Sequence, residues 1–330
     1  MTIINGIEID DIKYIDNNIK DSIKNNQPID NILHVIIVIS NPCQYARRYI
    51  LAREFIYRMQ QEQNIMLYVV ELAYFKQSYH VTDFKNPNHL RLYTKTAPLW
   101  HKENMINIAV KKLLPISWKA MAWIDADIEF ESSSWAIDTL KILNGSRDIV
   151  QLFSHCLDMD NNEDIMSVFS SFGFQYSKGR QYKKCNGNNF WHPGFAWAIT
   201  NEGYQKIGGL FEHSILGSGD HNMALSLLGH GIKSINENVS LGYKNKIEEF
   251  NNNALELKLG YVPGVIRHYY HGSKKNRKYS ERWQILVNHQ YDPYTHVKKD
   301  KNGLLIPTKE CPKELLDDIL NYFTERKEDE

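Results

Sequence analysis

Short runs of apolar residues alternate with polar segments along the first half of the chain. Leu33 to Ile39 (LHVIIVI) and Ile65 to Leu72 (IMLYVVEL) are rich in β-branched residues, which is typical of strands buried on both faces. Ala120 to Ile124 (AMAWI) is a third run of this kind. Residues 89–93 and 148–153 carry weaker strand patterns. The five segments together predict a sheet that contributes most of the core.

Helical spacing of apolar residues separates these strands. The pattern predicts helices at about 44–63, 100–114 and 135–143, and the second of them stops before Pro115. Strands that alternate with helices favour a mainly parallel sheet, with ligands at the carboxyl ends of its strands. We therefore expect an α/β fold, a Rossmann-like and mostly parallel sheet that is flanked by helices.

The second half of the chain is less regular. Residues 155–191 are dominated by Ser, Asn, Gly and Lys, as in NGNNF, and we expect a long, partly mobile segment that serves as a lid. The pattern then predicts further elements, namely strands at 195–199 and 262–267, helices near 201–207 and 220–229, and an amphipathic helix at 312–326. Residues 1–31 are polar with scattered Ile, which favours an appended arm or helix.

Composition excludes several classes of protein. The chain has 330 residues, and its 39 Lys and Arg balance its 39 Asp and Glu, which argues against a nucleic-acid binder driven by overall charge. Its four Cys are far apart and form no CxxC pair, so we expect neither a disulfide scaffold nor a structural zinc site. The chain has no run of about 18 apolar residues, so no membrane span is predicted. The first residues do not resemble a signal peptide, so we expect a cytoplasmic protein.

Two carboxylates follow the third buried strand. Asp125 and Asp127 flank a small residue, and side chains at i and i+2 leave a strand on the same side. One carboxylate of such a pair can reach a ribose while the other binds a hard cation such as Mn²⁺ or Mg²⁺. The alternative is a surface loop with solvated acids, in which Glu129 and Glu131 merely continue the alternation.

With these residues the chain resembles the glycosyltransferase-A superfamily, particularly β1,4-galactosyltransferase-like enzymes. The likeness covers roughly residues 33–290 and rests on several motifs in order. The segment after the first strand, NPCQYARR, resembles the family's nucleotide-binding segment and implies donor contacts from Pro42, Arg47 and Arg48. WHKEN resembles the motif that opens the next helix, where Lys102 would contact the diphosphate or the sugar. WIDAD matches the DxD-type motif, which implies Asp125 at the nucleoside and Asp127 at the metal.

The second half carries the remaining motifs of the resemblance. The segment that begins at Gly194 (GFAW) resembles the family's acceptor segment, and GGLF and GSGDH resemble its two glycine turns. IRH, which ends at His268, matches a family motif whose His binds the metal, and His271 competes with it for this role. Acceptor contacts are expected from Gly194, Phe195 and Trp197, because aromatic faces stack on sugar rings. The alternative for Phe195 and Trp197 is a place in the hydrophobic core.

Three further positions have a functional and an ordinary interpretation. Asp220 follows a Gly-Ser-Gly loop and could simply cap a helix. With the other motifs we expect it to be the catalytic base for the acceptor hydroxyl, with His221 as the second choice. Lys275 belongs to a basic run that either closes over the diphosphate or is solvated. Glu71 ends the second strand, where it could bind the base or ribose of the donor or could be a strand-end carboxylate without a function.

The resemblance implies a metal-dependent transfer of a hexose from a UDP-sugar to a hydroxyl of a glycan or protein, with inversion. The GSGDH loop of this chain has one Asp where the family has several acidic residues. The identities of the donor sugar and of the acceptor are therefore not implied. A sugar-nucleotide nucleotidyltransferase is one alternative, but NPCQYARR is not a glycine-rich phosphate loop. An inactive carbohydrate-binding module is another. We expect a transferase domain at 32–290, with a donor half to 153 and an acceptor half beyond it, and a C-terminal extension at 291–330.

Overall fold

The computed structural model describes residues 27–182 and 191–330, together with the backbone of the short strands Thr2–Ile4 and Ile7–Ile9. Most of the predicted N-terminal arm and the NGNNF stretch lie outside the described residues. The strands, in chain order, are β1 Thr2–Ile4, β2 Ile7–Ile9, β3 Leu33–Ser40, β4 Ile65–Tyr74, β5 His89–Thr94, β6 Ala120–Ile124, β7 Ile128–Phe130, β8 Ile149–Gln151, β9 His155–Met159, β10 Ile165–Ser171, β11 Trp191–His192, β12 Ala196–Thr200, β13 Leu259–Tyr261, β14 Val265–His268, β15 Val297–Lys299 and β16 Leu305–Pro307.

The α-helices alternate with these strands as expected. They are α1 Ala46–Met59, α2 Lys102–Lys112, α3 Trp135–Ile142, α4 Phe172–Ser177, α5 Asn201–Ile207, α6 Gly219–Ser226, α7 Leu241–Ala254, α8 Arg282–Asn288 and α9 Lys313–Glu325. Every helix predicted from the spacing is present, with ends moved by a few residues. Among the described residues, none of these helices is long and apolar enough to cross a bilayer.

A seven-stranded sheet forms the centre of the fold, in the order β13-β8-β12-β6-β3-β4-β5. Its strands pair in parallel except where β12 runs antiparallel to both of its neighbours. The predicted α/β fold class, a mostly parallel sheet flanked by helices, is confirmed. Alternate residues of β3 enter different clusters, with Val35 and Ile37 on one face and Ile36 on the other. This two-sided burial explains the continuous apolar run.

Helices cover both faces of this sheet. Phe55 of α1 and Trp135 of α3 belong to the cluster on one face, whereas Met105 and Ile106 of α2 belong to the cluster on the other. Because β3 and β6 are adjacent and parallel, their carboxyl ends meet at one edge. The residues that follow them, the predicted nucleotide segment and the DxD pair, are therefore neighbours.

Residues 155–191, predicted as a long and partly mobile lid, contain strands of a second sheet that the sequence pattern did not predict. The five strands of this sheet lie in the order β11-β10-β9-β14-β7, so β9 and β10 are paired strands within the predicted lid. The strand signal was missed because these strands mix apolar with small polar residues that become buried only through pairing. β14 runs between β9 and β7, which places His268 opposite both Asp158 and Ile128.

The C-terminal extension joins the core of the main domain. Leu315, Ile319 and Phe323 of α9 belong to the same hydrophobic cluster as Met105 of α2. Phe323 stacks on Trp100 with ring centroids 6.4 Å apart. The amphipathic stripe expected in this helix is therefore buried, and its C-terminal end lies beside the β3–α1 connection.

Candidate functional site

The DxD pair lies in the tight connection between β6 and β7. The Asp125 amide donates to the Phe195 carbonyl at 2.8 Å, and the Asp127 carbonyl accepts from the Tyr269 amide at 2.8 Å. These backbone bonds tie the loop to the ends of β12 and β14. Because the two strands belong to different sheets, the connection holds the carboxylates where the sheets diverge.

Asp127, His268 and His271 form a cluster in which one ligand atom of each lies within 4.8 Å of the others. Asp127 Oδ2 is 2.8 Å from His271 Nε2 and 3.9 Å from His268 Nε2. Asp127 Oδ1 is buried and has no hydrogen-bond partner. A buried, unpaired carboxylate oxygen beside two imidazole nitrogens suits a divalent cation such as Mn²⁺. The residues predicted as metal ligands are thus brought together.

Each histidine of this cluster has a carboxylate near its other nitrogen. His268 Nδ1 is 2.7 Å from Asp158 Oδ1, and His271 Nδ1 is 3.8 Å from Glu328 Oε2. Both Nε2 atoms face Asp127, and Arg277 Nη2 also lies 2.8 Å from the Nε2 atom of His271. Carboxylates in this position orient histidine ligands and increase their basicity.

The charges around Asp127 favour its ionised form. Burial alone raises the pKa of Asp127, but His271, His268 and Arg277 hold that pKa well below the usual carboxyl range. Burial also lowers the pKa of His268, against the opposing effect of Asp158. An ionised carboxylate and a neutral imidazole are the forms that bind a metal.

Lys102 joins two carboxylates that are far apart in sequence. Its Nζ is 2.6 Å from Asp125 Oδ1 and 3.1 Å from Asp220 Oδ2. Burial lowers the pKa of Lys102, but Asp125 and Asp220 outweigh burial and keep the ammonium group charged. Lys102 and Asp220 lie in the first turns of α2 and α6, so the two helices meet at this ion pair.

Glu103 adds a third carboxyl group to this region. A Cβ atom at position 219 would lie 2.2 Å from Glu103 Oε1, so glycine is needed there for the close approach. Burial, followed by repulsion from Asp220, raises the pKa of Glu103 to about 8. Burial likewise raises the pKa of Asp125 to about 6, although Lys102 opposes the shift. One ammonium group therefore faces three carboxyl groups, which it cannot all neutralise.

The excess of carboxyl groups over ammonium groups predicts that Glu103→Gln gains stability relative to the native chain as the pH rises. A folded-state pKa near 8, above the ordinary 4.5, means that Glu103 favours folding below pH 4.5 and loses that contribution as pH rises through 8. The glutamine variant has no proton to lose. We expect its melting temperature, relative to the native chain, to rise by at least about 2 °C between pH 5 and pH 8.5.

Thermal unfolding across this pH range measures the effect. The control is Glu314→Gln, a charge change at an exposed residue in the first turn of α9. Its melting curve should stay parallel to that of the native chain. A parallel curve for Glu103→Gln as well would contradict the prediction.

One cavity of about 1190 Å³ contains most of the predicted site residues. A volume of this size suits a ligand as large as a nucleotide-sugar. The predicted site residues that line it are Pro42, Arg48, Lys102, Asp125, Asp127, Gly194, Phe195, Asp220, His221, His268 and His271. The cavity thus unites the DxD loop, the Lys102 ion pairs and the histidines at one edge of the central sheet.

Four predicted site residues do not line the cavity. Glu71 accepts hydrogen bonds from the backbone amides of residues 80–82 and from the Thr82 hydroxyl, which organises that loop. The side chain of Trp197 is fully buried in the core, where its Nε1 donates to the Pro193 carbonyl.

The other two are Arg47 and Lys275. Arg47 Nε donates to the Tyr270 carbonyl at 2.9 Å, and Lys275 is exposed in a 3₁₀ turn. Their neighbours Arg48 and Lys274 are the basic residues that face the cavity. Sequence reasoning found the two basic segments, but side-chain direction within each depends on how the segment folds.

An aromatic wall lines the cavity beside the histidines. The ring centroid of His192 lies 4.2 Å from that of Phe195 and 4.7 Å from that of Phe169, and Phe195 lies 4.6 Å from His268. Phe195 has a φ of 81°, a region that bulky residues rarely occupy. Strained residues of this kind cluster at ligand sites. Sequence reasoning predicted Phe195 here and missed His192 and Phe169.

The predicted donor end of the cavity contacts the C-terminal residues of the chain. Arg48 Nη2 is 2.7 Å from Glu328 Oε1. The carboxylate of Asp329 accepts from the amides of Ala46 and Arg47 at the start of α1. Sequence reasoning missed Glu328 and Asp329, because no motif distinguishes them in an acidic and basic tail.

Comparison with known proteins finds only distant similarity. No protein-family model and no curated protein matches the chain. One solved structure that it resembles is the mannosyltransferase PcManGT from Pyrobaculum calidifontis in complex with GDP-Man and Mn²⁺, with 13% identity, a TM-score of 0.39, and coverage of 82% of this chain and 67% of that chain. Another is described as a nucleotide-diphospho-sugar transferase from Desulfovibrio desulfuricans G20, with 10% identity, a TM-score of 0.31, and coverage of 78% and 97%. Similarity this low assigns neither a family nor an activity to the chain.

Proposed function

We propose that this chain is a metal-dependent glycosyltransferase that uses a nucleotide-diphospho-sugar as donor. The observation that carries the proposal is the position of the Asp127–His268–His271 cluster in the same cavity as Lys102, Asp125 and Asp220. A cation site beside a buried lysine suits a pyrophosphate, and the nearby carboxylates suit a ribose and an acceptor hydroxyl.

Within this proposal Asp127, His268 and His271 hold Mn²⁺ or Mg²⁺. Such an ion, when bound, supplies positive charge that offsets the charge developing on a leaving diphosphate. Asp158 and Glu328 keep the imidazoles directed towards Asp127. Asp125 contacts the nucleoside, and Lys102, which stays charged, lies within reach of both Asp125 and Asp220.

Asp220 is the proposed catalytic base. Its carboxylate accepts the proton of the acceptor hydroxyl as that oxygen bonds to the anomeric carbon and the nucleoside diphosphate leaves. A single displacement of this kind inverts the anomeric configuration. The aromatic wall of Phe169, His192 and Phe195 offers faces on which a sugar ring can stack. Gly194 leaves room between His192 and Asp220, since a Cβ there would lie 3.0 Å from the imidazole.

We further propose that the donor is a UDP-hexose and that the acceptor is a hydroxyl of a glycan or protein. Support for these finer assignments comes from the motif resemblance. The nucleotidyltransferase alternative gains no support, because the β3–α1 connection (NPCQY) contains no glycine that could let backbone amides surround a phosphate.

Metal-linked nucleotide binding tests the proposed function. We expect calorimetry to show that UDP binds at least about 10-fold more tightly with Mn²⁺ than without it, because the cation neutralises part of the diphosphate charge. GDP serves as the comparison for base preference. A screen of UDP- and GDP-sugars for slow hydrolysis then identifies the donor, and NMR of the released sugar reports its configuration. Equal UDP binding with and without Mn²⁺ would argue against a transferase of this class, and a retained anomer would exclude inversion.

A further inference from the structure

The last five residues form a structured segment against the cavity. We call residues 326–330 the C-terminal segment. Gly272 follows His271, and a Cβ there would lie 2.9 Å from the Glu328 Cα, so the segment packs directly on the histidine loop. The Arg326 guanidinium lies 5.3 Å from the Trp100 ring centroid, which adds a cation–π contact. The segment is thus anchored on residues next to the metal cluster and the donor end.

Glu328 is the most buried acidic residue of this segment, with a relative exposure of 2%. Its carboxylate forms ion pairs with Arg48 and with Arg326. A buried carboxylate is tolerated only where charges and hydrogen bonds compensate it, and two guanidinium groups do so here. Glu328 is therefore held rigidly, with Oε2 beside His271.

Each histidine of the cluster has a carboxylate on the Nδ1 side of its ring, at 2.7 Å for His268 and at 3.8 Å for His271. The His271 ring also contacts the Arg277 guanidinium, whose Nη2 lies 2.8 Å from Nε2. Asp158 lies at Nδ1 of His268, and Glu328 lies at Nδ1 of His271. Asp158 belongs to β9, within the paired strands of the second sheet, whereas Glu328 comes from the end of the chain. One of these carboxylates therefore belongs to a paired strand of the second sheet, and the other to the C-terminal segment.

We propose that Glu328 is a positioning residue of the metal site, and that docking of the C-terminal segment and metal binding are coupled. The inference rests on the metal site of the proposed function. Glu328 directs Nε2 of His271 towards Asp127 and holds the Arg48 side chain at the cavity. Because coupling between two sites is reciprocal, a bound cation also favours the docked segment.

The first test compares Mn²⁺ affinity, without nucleotide, in Glu328→Gln and the native chain. We expect an affinity about 10- to 100-fold lower in the variant, the usual loss when a carboxylate behind a metal-bound histidine is removed. The matched control is Glu330→Gln, which removes the same charge from an exposed residue that pairs with Lys327. It should bind Mn²⁺ as the native chain does.

A second test uses the native chain and so does not depend on the folding of a variant. Hydrogen exchange at the amides of residues 326–330 should slow when Mn²⁺ is added, because the cation stabilises the docked segment. Unchanged exchange on Mn²⁺ binding would overturn the coupling.

These outcomes separate the inference from the proposed function. A native chain that binds no Mn²⁺ overturns both. A native chain that binds Mn²⁺, together with a Glu328→Gln variant of equal or higher affinity, overturns only the inference. A chain that ends at Glu325 and binds UDP more tightly would also overturn it, because the segment would then be a competing occupant of the donor end.

Discussion

Asp127→Asn is expected to lower the affinity for Mn²⁺ by at least about 100-fold and to abolish Mn²⁺-dependent donor hydrolysis. Removing a carboxylate behind a ligand already costs 10- to 100-fold, so loss of the carboxylate ligand itself should cost more. The amide keeps the size of the side chain but lacks the charge between His268 and His271. Calorimetry with Mn²⁺ and a hydrolysis assay measure the two effects.

The fold should survive this substitution. The backbone carbonyl of Asp127 still accepts from the Tyr269 amide, and that bond ties the loop to β14. The matched control is Glu131→Gln, which lies a few residues on and pairs at the surface with Arg267. It should keep native Mn²⁺ affinity. Undiminished Mn²⁺ affinity in Asp127→Asn would place the cation elsewhere and would remove the basis of the proposed function.

Asp220→Asn is expected to slow donor turnover by about 10²- to 10⁴-fold while UDP affinity in the presence of Mn²⁺ changes little. The range is that of a lost general base. Asparagine retains the shape of the side chain but cannot accept the proton. Lys102 keeps its ion pair with Asp125, so the donor end stays neutralised. Turnover and calorimetric affinity, measured on the same preparation, separate catalysis from binding.

His221→Asn is the matched comparison for this prediction. His221 also lines the cavity and is the second choice for the base. We expect the His221 variant to keep most of the turnover, because Asp220 is the residue joined to Lys102. The reverse pattern, with a slow His221 variant and a fast Asp220 variant, would transfer the role of base to His221.

The sequence predicted best those strands whose residues are buried on both faces of the central sheet. β3, β4 and β6 read as continuous apolar runs because helices cover both faces of that sheet. The DxD pair could be located for the same reason, since it directly follows such a strand. β9 and β10 were missed, because their small polar residues become buried only when partner strands and the cavity wall enclose them.

The residues of the candidate site were also predicted only in part. Motifs located Lys102, Asp125, Asp127, Asp220 and the two histidines, and the structure brings all of them to one cavity. A residue's position in a motif did not show where its side chain points. Lys275 and Trp197 were both predicted to line the site, but Lys275 is exposed to solvent and Trp197 is fully buried. A strand places successive residues on opposite faces, so a residue beside a site residue can belong to the core.

By itself the sequence determined the α/β class, the strand that ends in the two aspartates, and the residue types that could hold a cation. Those features depend on local periodicity and on chemistry that each residue carries wherever it lies. Only the tertiary structure decided that Asp158 and Glu328 lie at the far nitrogens of His268 and His271. These contacts join segments separated by long stretches of chain, and their geometry is set by sheet pairing and by the packing of the last helix. No local pattern encodes such a contact, because its free energy exists only when the whole fold has formed.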